Sequence, residues 1–196
     1  SIFFLGLLTT IVEGSSVCYR HMFEESSIIN DTVRINKEVY FDGDFYMISL
    51  LLDSTNMTEY IDFNYLDWID EITYDPTSSS LQKSLEAVNE IIDDFTFMDQ
   101  IGFLLSICQQ QKFVDDMDIY KMEALLSPEL TLASEGSDCE DKSMLFAFLV
   151  HQILNIDSIV IIYPQSEHMN VAIKVNENID TSEKKTILLD HANYNA

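Results

Sequence analysis

Three side chains in the second half of the chain have the types that thiol catalysis needs: Cys139, His168 and Asp190, in that order. A thiol attacks a carbonyl only as thiolate, and a helix N-terminus and a neighbouring imidazole are the most direct ways to favour that form. The sequence around Cys139 offers the first. Gly136 permits a close approach of the chain, Ser137 or Asp138 can cap, and the apolar run Met144–Val150 begins within a turn. The unpaired backbone N–H groups of such a helix start could also hold an oxyanion. His168 begins an alternating stretch after a turn, a position from which an imidazole can meet a helix end packed across a sheet edge. Asp190 closes a later apolar run and could fix the imidazole tautomer. Each has a plainer reading as well: an inert buried thiol, a surface histidine, a turn-forming aspartate.

These residues need elements to carry them. Val33–Leu50, interrupted by Asp42-Gly43-Asp44, predicts a β-hairpin. Apolar spacing from Asn56 to Tyr74 predicts a short amphipathic helix, closed by Asp75-Pro76. Ser80–Asp94 and Met98–Gln110 predict two further helices. Asp115–Asp118 reads as an acidic loop, and Tyr120–Leu126 as a helical turn that ends at Ser127-Pro128. The helix after Cys139 runs to about Leu154, and strands follow at Ile159–Tyr163, His168–Val175 and Thr186–Asp190. The layout is α+β, with a central Cys-bearing helix packed on an antiparallel sheet and preceded by a hairpin and helices. The segments divide as an apolar lead-in at 1–30, a hairpin plus short helix at 31–78, and a core at 79–196.

Composition narrows the function. With 34 acidic against 10 basic residues and a net charge of −24, the surface repels a phosphate backbone, so no nucleic-acid partner is expected. Such acidity serves solubility, or supplies oxygen ligands for a hard cation. The 3 cysteines are an odd count without metal-ligand spacing. A Cys18–Cys108 disulfide would leave Cys139 as the free thiol. The apolar start, Ile2–Val12, is shorter than a bilayer span and suits the remnant of a signal or anchor segment, a membrane or assembly contact, or a buried element.

The string Gly136-Ser137-Asp138-Cys139-Glu140-Asp141-Lys142-Ser143, its apolar helix, the Ile159–Pro164 strand and His168-Met169-Asn170-Val171-Ala172 resemble the transglutaminase-like superfamily. The likeness is to secreted or membrane-anchored prokaryotic members, over about Phe103 to Asp190. It implies a papain-like core in which Cys139 is the nucleophile, His168 the general base and acid, and Asp190 the orienting residue. It also implies an extracellular or cell-surface setting. The setting of Asp190, Leu188-Leu189-Asp190-His191, lacks the aromatic and Pro-Thr surroundings common around that acid. Relatives that bind Ca²⁺ through acids beside the cysteine make Asp138 and Glu140 candidate calcium ligands. The plainer reading is that Asp138 caps the helix and Glu140 complements its dipole. A side-chain amide, Gln109 among Gln109–Gln111, could join an oxyanion hole. The implied activity is cysteine-dependent hydrolysis of a protein or peptide amide, or acyl transfer, with no cofactor required other than this candidate calcium. The alternative is a non-catalytic binding or assembly module at the cell exterior.

Overall fold

The computed structural model describes residues 28–29, 32–54, 59–61, 79–119, 124–134, 136–163 and 168–173. A two-residue strand β1 (Ile28–Ile29) pairs with β2 (Thr32–Phe41), which pairs antiparallel with β3 (Asp44–Asp53) in an unbroken register from Thr32↔Asp53 to Phe41↔Asp44. Asp42 and Gly43 turn the hairpin with φ of 49° and 93°. This is the double positive φ that matches strand twist in a two-residue loop and that Asp-Gly accommodates best.

Alternation along the hairpin sends Val33, Val39, Ile48, Leu50 and Leu52 inward. They pack with Leu81, Leu85, Val88 and Ile92 of α1 (Ser79–Ile92) and with Ile101, Phe103, Leu104 and Ile107 of α2 (Phe97–Gln109). Thr96 caps α2 by accepting from the Asp99 amide. Phe41, Tyr46 and Phe95 meet Phe103 with ring centroids 5.2–5.8 Å apart, in near-perpendicular pairs. Hairpin and helices therefore share one core.

That core closes on α5 (Cys139–Leu154), whose residues from Asp141 to Val150 are all buried. A helix buried all round must be the centre of its domain, and α5 is. It ends at Asn155, left-handed at φ 53°, whose amide donates to the His151 carbonyl while that of Ile156 donates to the Val150 carbonyl. The chain then forms β8 (Ser158–Tyr163) and β9 (His168–Ile173), an antiparallel pair with Tyr163 opposite His168. Val160 and Met169 face the first turn of α5, packing with Cys139, Met144 and Leu125. The expected α+β arrangement, a Cys-bearing helix on an antiparallel sheet behind a hairpin and helices, is present.

Three local expectations differ. Asp116–Ile119 is a single helical turn, α3, where the sequence predicts a loop. Ala124–Leu126 is a strand, β6, paired with β4 (Glu59–Ile61), so part of each of two expected helical segments is extended. Ser127-Pro128 opens a helix, α4 (Pro128–Ala133), with Ser127 as cap and Pro at its first turn. Backbone pairing overrides the weak helical preference of the second segment, whereas Asp115, accepting from the Met117 amide, and Ser127, accepting from the Leu130 amide, start the turns of the other two. Two more short strands, β5 (Lys112–Phe113) and β7 (Gly136–Ser137), pair in parallel just before α5. The strand expected at Thr186–Asp190, the apolar start and most of Asn56–Tyr74 lie outside the described residues. No described helix is long and apolar enough to cross a membrane.

Candidate thiol and cation site

The site is assembled at the first turn of α5. β7 lies so close to β5 that a Cβ on Gly136 would strike the Val114 side chain and sit 3.0 Å from the Lys112 carbonyl, so glycine is required there. Ser137 is held by Gln111, whose Oε1 accepts from the Ser137 hydroxyl at 2.8 Å and whose Nε2 donates to the Thr131 carbonyl. Asp138 then caps α5, its Oδ1 accepting from the Glu140 and Asp141 amides at 3.1 and 3.2 Å. The capping reading of Asp138 is thus realised, and Cys139 is the first helical residue.

The Cys139 side chain is 7% exposed. Its Sγ donates to Glu140 Oε2 at 2.8 Å and is approached by the Met169 backbone N–H. Burial, reinforced by the Glu140 carboxylate, pushes the thiol well above its ordinary range, so it is neutral as described. His168 begins β9, half-buried, its ring stacked on Tyr163 at 6.3 Å and 25°. Met169 points toward Cys139, so strand alternation starts the His168 side chain toward the opposite face of β8–β9, with Tyr163. What reaches the sulfur is therefore the peptide unit that joins His168 to Met169. Asp190 lies outside the described residues. Gln109 ends α2 with an exposed side chain, while Gln111 is the amide tied to the loop before Cys139.

Beside the thiol, Asp116, Asp138 and Asp141 are all buried, and each turns one carboxylate oxygen into a group within 4.8 Å. Asp116 accepts from the Ala124 amide and Asp141 from the Leu126 amide, both at 2.8 Å, so β6 holds two of the three in place. The second oxygen of Asp141 is buried with no partner. Glu140 is not a member of the trio. Mutual repulsion at this range, roughly 3–4 kcal/mol per pair at an effective dielectric of about 20, keeps three bare carboxylates from all ionising. Accordingly burial, followed by Asp141, Glu140 and Asp116, pushes Asp138 up to about 10, and burial drives Asp141 well above the usual carboxylate range. Three oxygen donors beside an unsatisfied buried carboxylate oxygen fit a hard divalent cation. Part of this cluster is legible in the sequence: Asp138 and Asp141 are three apart and share a helix face, whereas Glu140 is turned away from Asp138. Asp116 carried no such signal, because it joins from α3 through the fold.

Comparison with family models, with curated proteins and with solved structures finds no match to this chain.

Proposed function

We propose that the protein hydrolyses amide bonds of a protein or peptide through Cys139, with His168 as general base and acid and a calcium ion beside the nucleophile on Asp116, Asp138 and Asp141. The observation that carries the reading is the meeting of the Cys139 sulfur with the Met169 amide. That contact brings the backbone of β9 to a sulfur at the start of a 16-residue helix, while the His168 ring lies with Tyr163 on the other face of the strand pair. In the proposed step the His168 ring turns from the Tyr163 face to take the thiol proton, and the sulfur attacks the carbonyl carbon. His168 returns the proton to the departing amine, leaving a thioester at Cys139. Water then resolves it, or an amine does so in acyl transfer. Asp190 would orient the imidazole. A bound cation supplies positive charge that offsets the carboxylates raising the thiol. An extracellular or cell-surface setting belongs to this reading, since calcium modules there bind at about 10⁻⁴–10⁻³ M.

A second reading follows from the state of the thiol. A buried, neutral sulfur bonded to Glu140 also suits a cation-stabilised binding or assembly module in which Cys139 only packs. Iodoacetamide labelling at mildly acidic pH, mapped by mass spectrometry with and without Ca²⁺, separates the two. Cys108 is the internal control, since it is 1% exposed and burial holds its thiol at about 12. The catalytic reading expects Cys139 to label at least roughly tenfold faster than Cys108 with Ca²⁺ present, and more slowly in His168→Ala. Labelling of Cys139 no faster than Cys108, or indifferent to His168→Ala, leaves the binding module.

A further inference from the structure

The hairpin ends in a strand edge that the fold treats unevenly. At the far edge of β2, the Gln110 side chain stands in for a neighbouring strand, accepting from the Tyr40 N–H at 2.9 Å and donating to its carbonyl at 2.8 Å. At the edge of β3, Ser84 of α1 does the same for Leu51, accepting from its N–H at 2.6 Å and donating to its carbonyl at 2.8 Å. These contacts fix which backbone groups look outward. Tyr40 and Leu51 turn their amides away from the ladder, so in this register Phe45, Met47 and Ser49 turn theirs away from β2 as well. Among the described residues nothing bonds to those outward groups. The same three side chains lie on the outer face, with Phe45 68% and Met47 61% exposed, and Tyr40 stacks on Phe45 at 4.9 Å.

Edge strands in soluble proteins are normally blunted by lysine, proline or a bulge. Phe45 to Leu52 contains no charged residue and no proline, and the ladder beside it is unbroken. The rim, in contrast, is charged. Asp42 and Asp44 lie at the tip and Glu38 stands opposite Met47 on the outer face, while Arg34 lies at the far end, opposite Leu51. A second copy would bring the same acids and a further −24 of charge to this edge. A partner with basic residues beside the tip would be drawn in.

We propose that β3 is a docking edge for an extended peptide segment of another protein, which adds to the sheet at Phe45–Ser49 with alternate apolar residues on Phe45 and Met47 and Lys or Arg beside Asp42 and Asp44. Backbone pairing supplies the affinity and the rim sets the polarity. The inference is independent of the chemistry at Cys139.

Fluorescence anisotropy of a labelled peptide Ser-Ile-Thr-Val-Ser-Lys-Lys against the whole protein tests it. Met47→Pro deletes an outward N–H without touching the ladder to β2, a substitution edge strands accept. Binding should weaken by roughly tenfold or more in Met47→Pro, and likewise when the peptide is N-methylated on the pairing side, which leaves the protein unaltered. Binding should also fall when Ile and Val of the peptide become Ser at constant charge. Equal affinity for the Ser peptide would reduce the contact to charge attraction and overturn the proposal, as would affinity indifferent to N-methylation. No peptide binding, together with a dimer in sedimentation that Met47→Pro dissolves, would give the edge to a second copy instead.

Discussion

Two single residues expose the energetics most directly. Lys37 lies at the middle of the inner face of the hairpin, opposite Ile48 and among Leu50, Leu81, Leu85, Val88, Ile107, Leu132 and Leu149. Burial lowers its ammonium from 10.5 to about 8. Its charged form is therefore disfavoured by folding, a cost present in full below about 8 and gone above 10.5. Lys37→Met should raise the unfolding free energy at pH 7 by about 1–3 kcal/mol, and the gain should shrink as denaturant melts are repeated toward pH 10.5. Asp141 is the second case. Asp141→Asn keeps an oxygen for the Leu126 amide but removes a carboxyl that burial holds protonated in the absence of a cation, and with it a cation ligand. Thermal melts should show the cation-free variant at least as stable as the parent, with the Ca²⁺-induced rise in Tm lost or much reduced. A Ca²⁺ shift equal to that of the parent would dismiss the three-aspartate site. Cys108 completes this scale: it is a free buried thiol donating to the Leu104 carbonyl, and Cys18, the other half of the disulfide considered for it, lies outside the described residues.

At the scale of elements, the hairpin is set by its turn and α5 by its cap. Gly43 has φ 93°, which an L-residue adopts only with strain, and a Cβ there would meet nothing. Gly43→Ala should cost about 1–2 kcal/mol in chemical denaturation through backbone conformation alone, whereas Gly43→Asn should recover part of it. Both features were legible because they are local: Asp-Gly between β-branched runs, and Asp138 directly before a helix-forming run. The extended conformation of Ala124–Leu126 was not. Its three residues carry no strand signal, and what extends them is pairing with Glu59–Ile61 together with amides held by Asp116 and Asp141. The element and the cation cluster form together, so removing one carboxylate should loosen β6 as well.

For the molecule as a whole, α5 is the shared wall of two packings, the hairpin with α1 and α2 on one side and β8–β9 with the site on the other. Phe148 lies at its centre, fully buried in the main core. Phe148→Ala should cost about 3–5 kcal/mol, much of the stability of an ordinary domain. If one core holds the molecule, circular dichroism and tryptophan-independent probes such as amide exchange should lose the hairpin and β8–β9 in a single transition. The acidity of the chain concentrates one consequence at the site, where three aspartates are buried side by side in a protein of net charge −24.

The sequence alone determined the α+β class, the hairpin and its turn, and a cysteine placed first in a capped helix, because each follows from contacts between residues close along the chain. Only the tertiary structure decided that Asp116 joins Asp138 and Asp141, that Glu140 bonds the thiol, and that the sulfur meets β9 at the peptide between His168 and Met169. Those placements depend on how β6 and β9 pack against the first turn of α5, and the burial that packing imposes is what raises the carboxyls and the thiol. Residue spacing encodes none of that burial.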